Sequence, residues 1–317
     1  MIKTELSLCL MAIIILTGIC LAGKDSKDFP KLTGPYLGQK PPGKTPVVFA
    51  PGIVCTNGKE MMFGFFKKDS IFIFERIMPD FDKDWIYAPL YRTESKNGEW
   101  TKPRQSKNTG KPWFHAYPDA PEGTEIFFAW RKNLDGSGPT FDIDLWKVVK
   151  TSSGWLPPQR LSPSVNTDGF DSWPSVADDK TLYFFSNRKG GFGKSDLYRS
   201  KPQHGEYRAV ENLGKFINSS LNDHDPFIAP DERYLLWCSD RPGGYGGNDL
   251  YIAYKQENGE WTGPFNLGET INTSANETRP YVTGNGRNLF FVRDVNSSRD
   301  IFWVDAKIIE KLRPYNL

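Results

Sequence analysis

The chain of 317 residues has little histidine and little cysteine, and its charge is nearly balanced. There are three histidines and four cysteines, and no Cys/His spacing typical of a metal site occurs, so the sequence predicts no metal and no other cofactor. The net charge of +2 comes without a Lys/Arg block, which argues against a nucleic-acid partner. Stretches with helical periodicity are nearly absent, whereas glycine, proline and aromatic residues are abundant. That composition is typical of many short strands joined by tight turns.

The N-terminus has the pattern of an export signal. Lys3 precedes an apolar run from Leu8 to Leu16, and Cys20-Leu21-Ala22 has the small-x-small pattern that a signal peptidase needs. The run is too short to span a bilayer comfortably. We therefore predict a signal peptide at residues 1–22 and a periplasmic or secreted protein with no membrane span after cleavage. An uncleaved anchor and a lipid anchor on Cys20 are the weaker alternatives.

A repeat of about 50 residues organises the rest of the chain. Each clear copy opens with an acidic residue and, three positions on, a proline. An aromatic strand, a Ser-Asn/Asp-Arg segment, a glycine-rich turn and Asp-Leu-Tyr follow. The third copy runs from Asp171 to Tyr198 and the fourth from Asp223 to Tyr251; the fifth, less complete, begins at Glu277. A fainter second copy contains Asp144-Leu145-Trp146, and the degenerate first copy is placed at Asn57–Phe63.

Each copy holds four β-rich runs, which is the anatomy of a propeller blade. The last copy lacks an outer strand of its own, and the segment Pro46–Thr56 resembles the crossover at Pro264–Thr273. The sequence therefore predicts an all-β chain, a single β-propeller of five four-stranded blades, closed by an N-terminal strand that completes the last blade. Because the first copy contains an insertion, a propeller of six blades is the alternative. The predicted regions are the signal peptide at 1–22, an extended linker at 23–45 and the propeller domain at 46–317.

The repeat motif resembles that of the TolB-like, WD-like β-propeller repeat family. The resemblance begins near Pro46, reaches the C-terminus and is strongest in the third and fourth copies. It implies an exported bacterial envelope protein that serves as a binding scaffold. A propeller hosts many unrelated functions, so the resemblance points to a fold more than to an activity.

Several repeated residues are predicted to build the blades. Asp196, Asp249 and Asp300 occupy the same position in three copies, and Arg188 and Arg241 close the Ser-Asn/Asp-Arg segment in two. A carboxylate that accepts hydrogen bonds from turn amides and from a nearby arginine explains this recurrence better than calcium binding or catalysis.

The sequence offers no recognisable catalytic constellation. Cys55 and Cys238, the two cysteines outside the leader, fall in different copies, so we expect two buried thiols. No Gly-x-Ser-x-Gly elbow, no His-Glu-x-x-His motif and no Ser/His/Asp grouping occurs. No catalytic residue is predicted, and enzyme activity is left open.

The first candidate binding site is the mouth of the channel. Asp171, Asp223 and Glu277 precede the inner strands and are expected to face the axis at one end of the ring, with His224 and Arg279 beside them. Such a concave mouth suits a cation, a basic peptide segment or sugar hydroxyls. A solvated rim without a ligand is the alternative.

The second candidate site breaks the repeat. Trp113, His115 and Tyr117 fill the slot of the acidic-proline opening in the second copy, and insertions at Met78–Trp85 and Asn133–Phe141 lengthen loops. Aromatic side chains at such a place stack on sugars or anchor a peptide. Packing between irregular blades is the plainer alternative.

Three functions follow from these features. The first is a monomeric, exported binding protein that presents the channel mouth and the irregular loops of the first two blades to an envelope protein segment or a glycan. The second is a carbohydrate-active or peptide-cleaving hydrolase that uses acidic residues at the mouth. The third is a structural envelope component with no small-molecule ligand.

Overall fold

The computed structural model describes residues 29–66, 68–78, 89–105, 124–133, 142–296 and 298–314. Nearly all the regular structure in these ranges is β, with one 3-10 turn at Tyr36–Gly38 and one short helix, α1 (Lys307–Lys311). No helix in these ranges is long and apolar enough to cross a membrane. The predicted signal peptide and the aromatic group of the second copy, Trp113, His115 and Tyr117, lie outside the described residues.

The strands follow the copies in chain order. The N-terminal strand is β1 (Val47–Val48). The first copy contains β2 (Lys59–Phe66), β3 (Ile71–Ile77), β4 (Leu90–Lys96), β5 (Glu99–Trp100) and β6 (Arg104–Gln105). The second contains β7 (Glu125–Arg131), β8 (Ile143–Thr151), β9 (Gly154–Trp155) and β10 (Gln159–Arg160). The third contains β11 (Asp171–Val176), β12 (Leu182–Ser186), β13 (Asp196–Ser200) and β14 (Glu211–Asn212). The fourth contains β15 (Asp223–Ile228), β16 (Tyr234–Ser239), β17 (Asp249–Lys255) and β18 (Trp261–Asn266), and the fifth contains β19 (Glu277–Val282), β20 (Asn288–Val295) and β21 (Ser298–Asp305).

The strands pair as the blade pattern predicts. The third and fourth copies are four-stranded antiparallel sheets in the orders β11-β12-β13-β14 and β15-β16-β17-β18. The strands of the second copy form another four-stranded sheet. The first and fifth copies share one nine-stranded sheet, because Lys59 of β2 pairs in parallel with Arg299 of β21. The first strands of the third, fourth and fifth copies contact one another in sequence, which is consistent with a propeller.

The hydrophobic core lies between successive sheets. Strand β16 is buried along its whole length, and its side chains alternate between two neighbours. Leu235 and Trp237 pack toward Tyr183 of the third copy, whereas Leu236 packs toward Phe291 of the fifth. Because both faces of the sheet are covered, the strand is a continuous apolar run rather than an alternating one.

The N-terminal segment completes the fifth sheet. Val47 and Val48 of β1 pair antiparallel with Trp303 and Phe302 of β21, and the Phe49 N–H donates to the carbonyl oxygen of Ile301 at 2.8 Å. The predicted closure of the last copy by an N-terminal strand is confirmed.

The register of this closure matches the internal crossovers. In three copies an asparagine side chain binds both backbone polar groups of a leucine in β8, β13 or β17: Asn166 binds Leu145, Asn218 binds Leu197 and Asn272 binds Leu250. At the closure Cys55 takes this place, and its Sγ accepts a hydrogen bond from the Ile301 N–H at 3.2 Å and lies 3.6 Å from the Ile301 carbonyl oxygen. Cys55 and Cys238 are both buried free thiols, as predicted.

We expect Phe49 to be a main source of stability at the closure. Its side chain is fully buried against the rings of Phe65, Phe72, Phe290 and Trp303, with centroid distances of 5.1 to 6.0 Å. Phe49→Ala should lower the free energy of unfolding by about 3–5 kcal/mol, measured by urea denaturation. Val47→Ala is the matched control, because that side chain is 45% exposed and should cost little. Equal losses in the two variants would contradict this account.

Candidate functional site

The acidic residues that open the inner strands are buried. Asp171, Asp223 and Glu277 have no exposed side-chain surface, and each forms an ion pair with an arginine of the next strand or turn in its own copy. The pairs, with their N–O distances, are Asp171 with Arg188 at 2.8 Å, Asp223 with Arg241 at 2.6 Å and Glu277 with Arg293 at 2.7 Å. This placement differs from the expected acidic rim around an open mouth.

Both carboxylate oxygens of Asp223 accept hydrogen bonds from protein groups. Its Oδ1 accepts hydrogen bonds from Arg241 Nη2 at 2.6 Å and Trp237 Nε1 at 3.1 Å. Its Oδ2 accepts from the N–H and the hydroxyl of Ser219 at 2.6 and 2.7 Å. Arg241 also donates to the carbonyl oxygen of Ile217 at 2.6 Å, which ties the crossover to the sheet. A ligand would have to displace a protein contact to reach Asp223.

Glu60 is a fourth member of this set that the sequence reasoning missed. It pairs with Arg76 at 3.1 Å and accepts a hydrogen bond from the Thr56 hydroxyl at 2.7 Å. The first copy has no proline three positions after the acid, so the motif did not mark it. A usable signal was a hydroxyl residue four positions before each acid: Thr56, Thr167, Ser219 and Thr273.

The repeated aspartates of the third strands make local contacts with turns. Asp196 accepts hydrogen bonds from two N–H groups of the preceding glycine-rich turn at 2.6 and 2.9 Å, and Asp249 does the same at 2.7 and 3.1 Å. A Cβ on Gly191 would lie 2.4 Å from Asp196 Oδ2, so glycine is needed there for close approach. Asp300 is different, since its carboxylate lies within 4.8 Å of the Cys55 thiol.

One position of the inner strands differs in kind from copy to copy. Two residues after the acid, the pairing register shifts and the backbone has a positive φ, at Trp173 (54°), Asp225 (52°) and Arg279 (55°). Such a φ is uncommon outside glycine, and a bulge redirects its side chain. The repeat fixes the backbone here but leaves the side chain free to vary, which marks the position as a candidate for function.

Side chains from this position contact residues of other copies. Arg279 Cζ lies 4.4 Å from the ring centroid of Trp173, and Arg279 Nη1 lies 3.5 Å from Glu75 Oε2. Trp173 belongs to the third copy, Arg279 to the fifth and Glu75 to the first. We name the residues gathered here the channel cluster: Glu75, Trp173, His224, Asp225, Cys238 and Arg279.

His224, Asp225 and Cys238 form a compact group within the channel cluster. The Sγ of Cys238 lies 3.1 Å from His224 Nδ1 and 3.7 Å from Asp225 Oδ2, and Nδ1 lies 3.3 Å from Asp225 Oδ1. The register pairs His224 directly with Cys238. This is not a nucleophilic triad, because one ring nitrogen faces both partners, whereas a triad divides them between the two nitrogens. Sequence reasoning placed His224 and Arg279 at the mouth but did not bring Cys238 to them.

Burial and charge shift the pKa values of the channel cluster in different directions. Burial raises the pKa of Cys238 to about 11. Burial disfavours a charge on His224, but the charges of Cys238 and Asp225 outweigh it and raise the pKa of His224. Burial raises the pKa of Glu75, with Arg279 opposing it. Burial also acts to raise the pKa of Asp225, but His224 and Arg279 hold that pKa below its usual value.

A cavity of about 710 Å³ lies at the seam between the first and fifth copies, away from the channel cluster. Residues between Gly34 and Pro42 line one side of it, with Trp100 Nε1 donating to the Gly34 carbonyl oxygen at 2.7 Å and Asn285 Nδ2 donating to the Tyr36 hydroxyl at 2.9 Å. Tyr36 and Trp100 are buried in the packing of the seam. The channel cluster is the stronger candidate site, because it gathers ionisable groups that the packing does not require.

We expect the buried ion pairs to be needed for folding. Arg241→Gln leaves the Asp223 carboxylate buried without its charge partner and should lower the free energy of unfolding by about 3–5 kcal/mol in urea denaturation. Lys201→Gln is the control, because Lys201 is 72% exposed in its 3.0 Å pair with Asp179 and its loss should leave the unfolding midpoint unchanged. A midpoint for Arg241→Gln as high as that of the control would argue against the buried role.

Solved structures with a similar fold include hydrolases and TolB. A glycoside hydrolase matches over 83% of this chain and 91% of its own, at 14% identity and a TM-score of 0.50. TolB from Acinetobacter baumannii matches over 79% of this chain at 13% identity and a TM-score of 0.43. An endo-arabinase from Bacteroides thetaiotaomicron VPI-5482 matches over 78% of this chain and 91% of its own, at 16% identity and a TM-score of 0.43.

These likenesses show the fold alone. The chain spans 55% of the length of the Acinetobacter TolB, and identities this low carry no information on activity. The chain matches no protein-family model and no curated protein sequence. The fold is all-β, with four-stranded antiparallel sheets consistent with the propellers it is similar to.

Proposed function

We propose that this chain is an exported, TolB-like β-propeller of five blades that acts as a binding protein of the bacterial cell envelope. Its ligand is a polar segment of a partner protein, held at the mouth of the central channel by the channel cluster. The observation that carries this proposal is the variable bulge position, where Trp173, Asp225 and Arg279 share one backbone conformation and differ in chemistry. Export is proposed from the N-terminal sequence pattern.

The repeated acidic residues are poor candidates for binding a ligand. Both carboxylate oxygens of Asp171, Asp223 and Glu277 accept hydrogen bonds from protein groups. In contrast, Glu75 Oε2 and Arg279 Nη1 make no hydrogen bond within the described residues, although they lie 3.5 Å apart. A peptide backbone offers both a donor for Glu75 and an acceptor for Arg279. Tryptophan and arginine are also the residue types that most often dominate binding energies at protein interfaces.

The proposed blade count follows from the register of the repeat. The buried acid–arginine pair occurs in the first, third, fourth and fifth copies, and the second copy has a four-stranded sheet of its own. One set of paired strands for each of five copies, with the first and fifth sets joined in one sheet, makes a closed five-bladed ring the simplest arrangement.

Binding at the channel can be tested with arginine variants. Mature protein should bind members of a peptide array saturably, and Arg279→Gln should weaken that binding at least about tenfold, since hot-spot residues cost 2 kcal/mol or more when truncated. The control is Arg233→Gln, because Arg233 is half-exposed in a pair with Asp231 outside the channel cluster. Equal binding by both variants, or binding only to a parallel glycan array, would overturn the peptide proposal.

A hydrolase is the second candidate, supported by the channel carboxylates. The pKa of Glu75 is raised and that of Asp225 is lowered, which is the division between a general acid and a base or nucleophile in glycoside hydrolysis. Asp225 is almost completely buried beside His224, so we rank this function below binding.

The hydrolase candidate predicts activity that depends on Glu75. Glu75→Gln should lower the hydrolysis rate on a panel of aryl glycosides by about 100-fold or more, because it removes the proton donor. The rate of the unaltered protein should also fall at alkaline pH as Glu75 loses its proton. A protein that hydrolyses none of the panel at any pH would remove this candidate.

A further inference from the structure

The group formed by His224, Asp225 and Cys238 is not explained by the repeat. The residues equivalent to the His224/Cys238 pair are Ser172 with Phe185 in the third copy and Thr278 with Val292 in the fifth. Those pairs carry no ionisable group, yet their sheets have the same pairing and the same bulge. The histidine, the aspartate and the cysteine are therefore not needed to build a blade.

The donor atoms of the three residues lie within 4.8 Å of one another. The Sγ of Cys238 lies 3.1 Å from His224 Nδ1 and 3.7 Å from Asp225 Oδ2, and Nδ1 lies 3.3 Å from the other carboxylate oxygen, Oδ1. A tetrahedral zinc ion with bonds of about 2.0–2.3 Å holds its ligand atoms roughly 3.3–3.8 Å apart. A proton on Nδ1 can satisfy only one of the two partners well, whereas a metal ion at the centre satisfies all three.

The far side of the imidazole is arranged as in metal sites. His224 Nε2 lies 3.0 Å from Asn248 Oδ1. Asn248 Nδ2 donates to Asn276 Oδ1 at 3.2 Å, so the amide oxygen of Asn248 is the atom that faces the histidine. Nε2 therefore carries the hydrogen, and in the neutral ring the lone pair is on Nδ1, toward Cys238 and Asp225. A metal-binding histidine almost always has such a partner, which fixes its tautomer and its orientation.

We propose that His224, Asp225 and Cys238 bind a divalent transition-metal ion, with zinc the best match to one sulfur, one nitrogen and one oxygen donor. Zinc with three protein ligands keeps a fourth position for water or another ligand. His224 is 21% exposed, which gives the ion a route to the site. The positive charge of Arg279 acts on Asp225 and would oppose a bound cation, and Glu75 pairs with Arg279 at 3.5 Å. This inference does not depend on the proposed binding function.

The chain contains a matched control. Cys55, Glu60 and Asp300 also bring three donor atoms within 4.8 Å of one another. There the thiol contacts the backbone of Ile301, Glu60 is paired with Arg76, and no histidine is present. The repeat accounts for each of these contacts, so we assign no metal to this group.

Cobalt provides the decisive measurement. Mature protein, freed of metal with a chelator, is titrated with Co²⁺ and then with Zn²⁺. We expect one Co²⁺ per chain, with a thiolate-to-cobalt charge-transfer band that Zn²⁺ abolishes. Cys238→Ser should lose the band and Cys55→Ser should keep it. No band in the unaltered protein, or a band that depends on Cys55 instead, would overturn the proposal.

A second variant tests the histidine without touching a ligand. Asn248→Ala removes the hydrogen-bond partner of Nε2, together with the bond from Asn248 Nδ2 to Asn276, and it should weaken Zn²⁺ binding by about 10–100-fold in competition with a chromogenic chelator. Circular dichroism and metal-free thermal unfolding establish that each variant is folded. An Asn248→Ala protein that is folded and binds Zn²⁺ as tightly as the unaltered protein would contradict the assigned role of His224 Nδ1.

Discussion

The structure depends on the pairing of the N-terminal segment with the last strand of the chain. A ring of sheets has two open edges unless the chain returns to join them, and exposed strand edges are prone to pair with other molecules. Here β1 adds to β21, Phe49 fills the space among four aromatic rings, and Cys55 occupies the crossover position of an asparagine. Residues far apart in the chain are thereby held together, so the end of the fifth copy is stabilised by residues that precede the first.

Within each copy the corresponding constraint is a buried carboxylate. A buried ion pair is expensive to desolvate and is stable only when its other hydrogen bonds are made. The pairs of Asp171, Asp223 and Glu277 meet that condition: a hydroxyl residue four positions earlier binds the acid, and the arginine also binds the preceding crossover, as Arg241 binds the Ile217 carbonyl oxygen. The buried acid–arginine pair thus holds the start of the inner strand, the second strand and the crossover together. This role explains why the pair recurs in the copies.

The function that we propose depends on positions outside these buried acid–arginine pairs. The bulge two residues after the acid has the same backbone in three copies, and a tryptophan, an aspartate and an arginine occupy it. They lie where the copies converge, so side chains from the first, third, fourth and fifth copies form one group. The proposed metal site uses His224, Asp225 and Cys238. The proposed binding surface uses Trp173, Asp225 and Arg279, so the two share Asp225.

The sequence by itself determined the all-β class, the repeat and the closing strand, because these depend on local patterns: turn residues, apolar runs and a missing outer strand matched by a spare one. The sequence also predicted a site that includes His224 and Arg279, and the structure places both residues in one cluster. Only the tertiary structure decided that Asp171, Asp223 and Glu277 are buried, since their arginine partners lie 16 to 18 positions away in another strand or turn. It also brought Cys238 to His224 and Glu75 to Arg279, because a strand register and contacts between copies join residues that no local spacing relates.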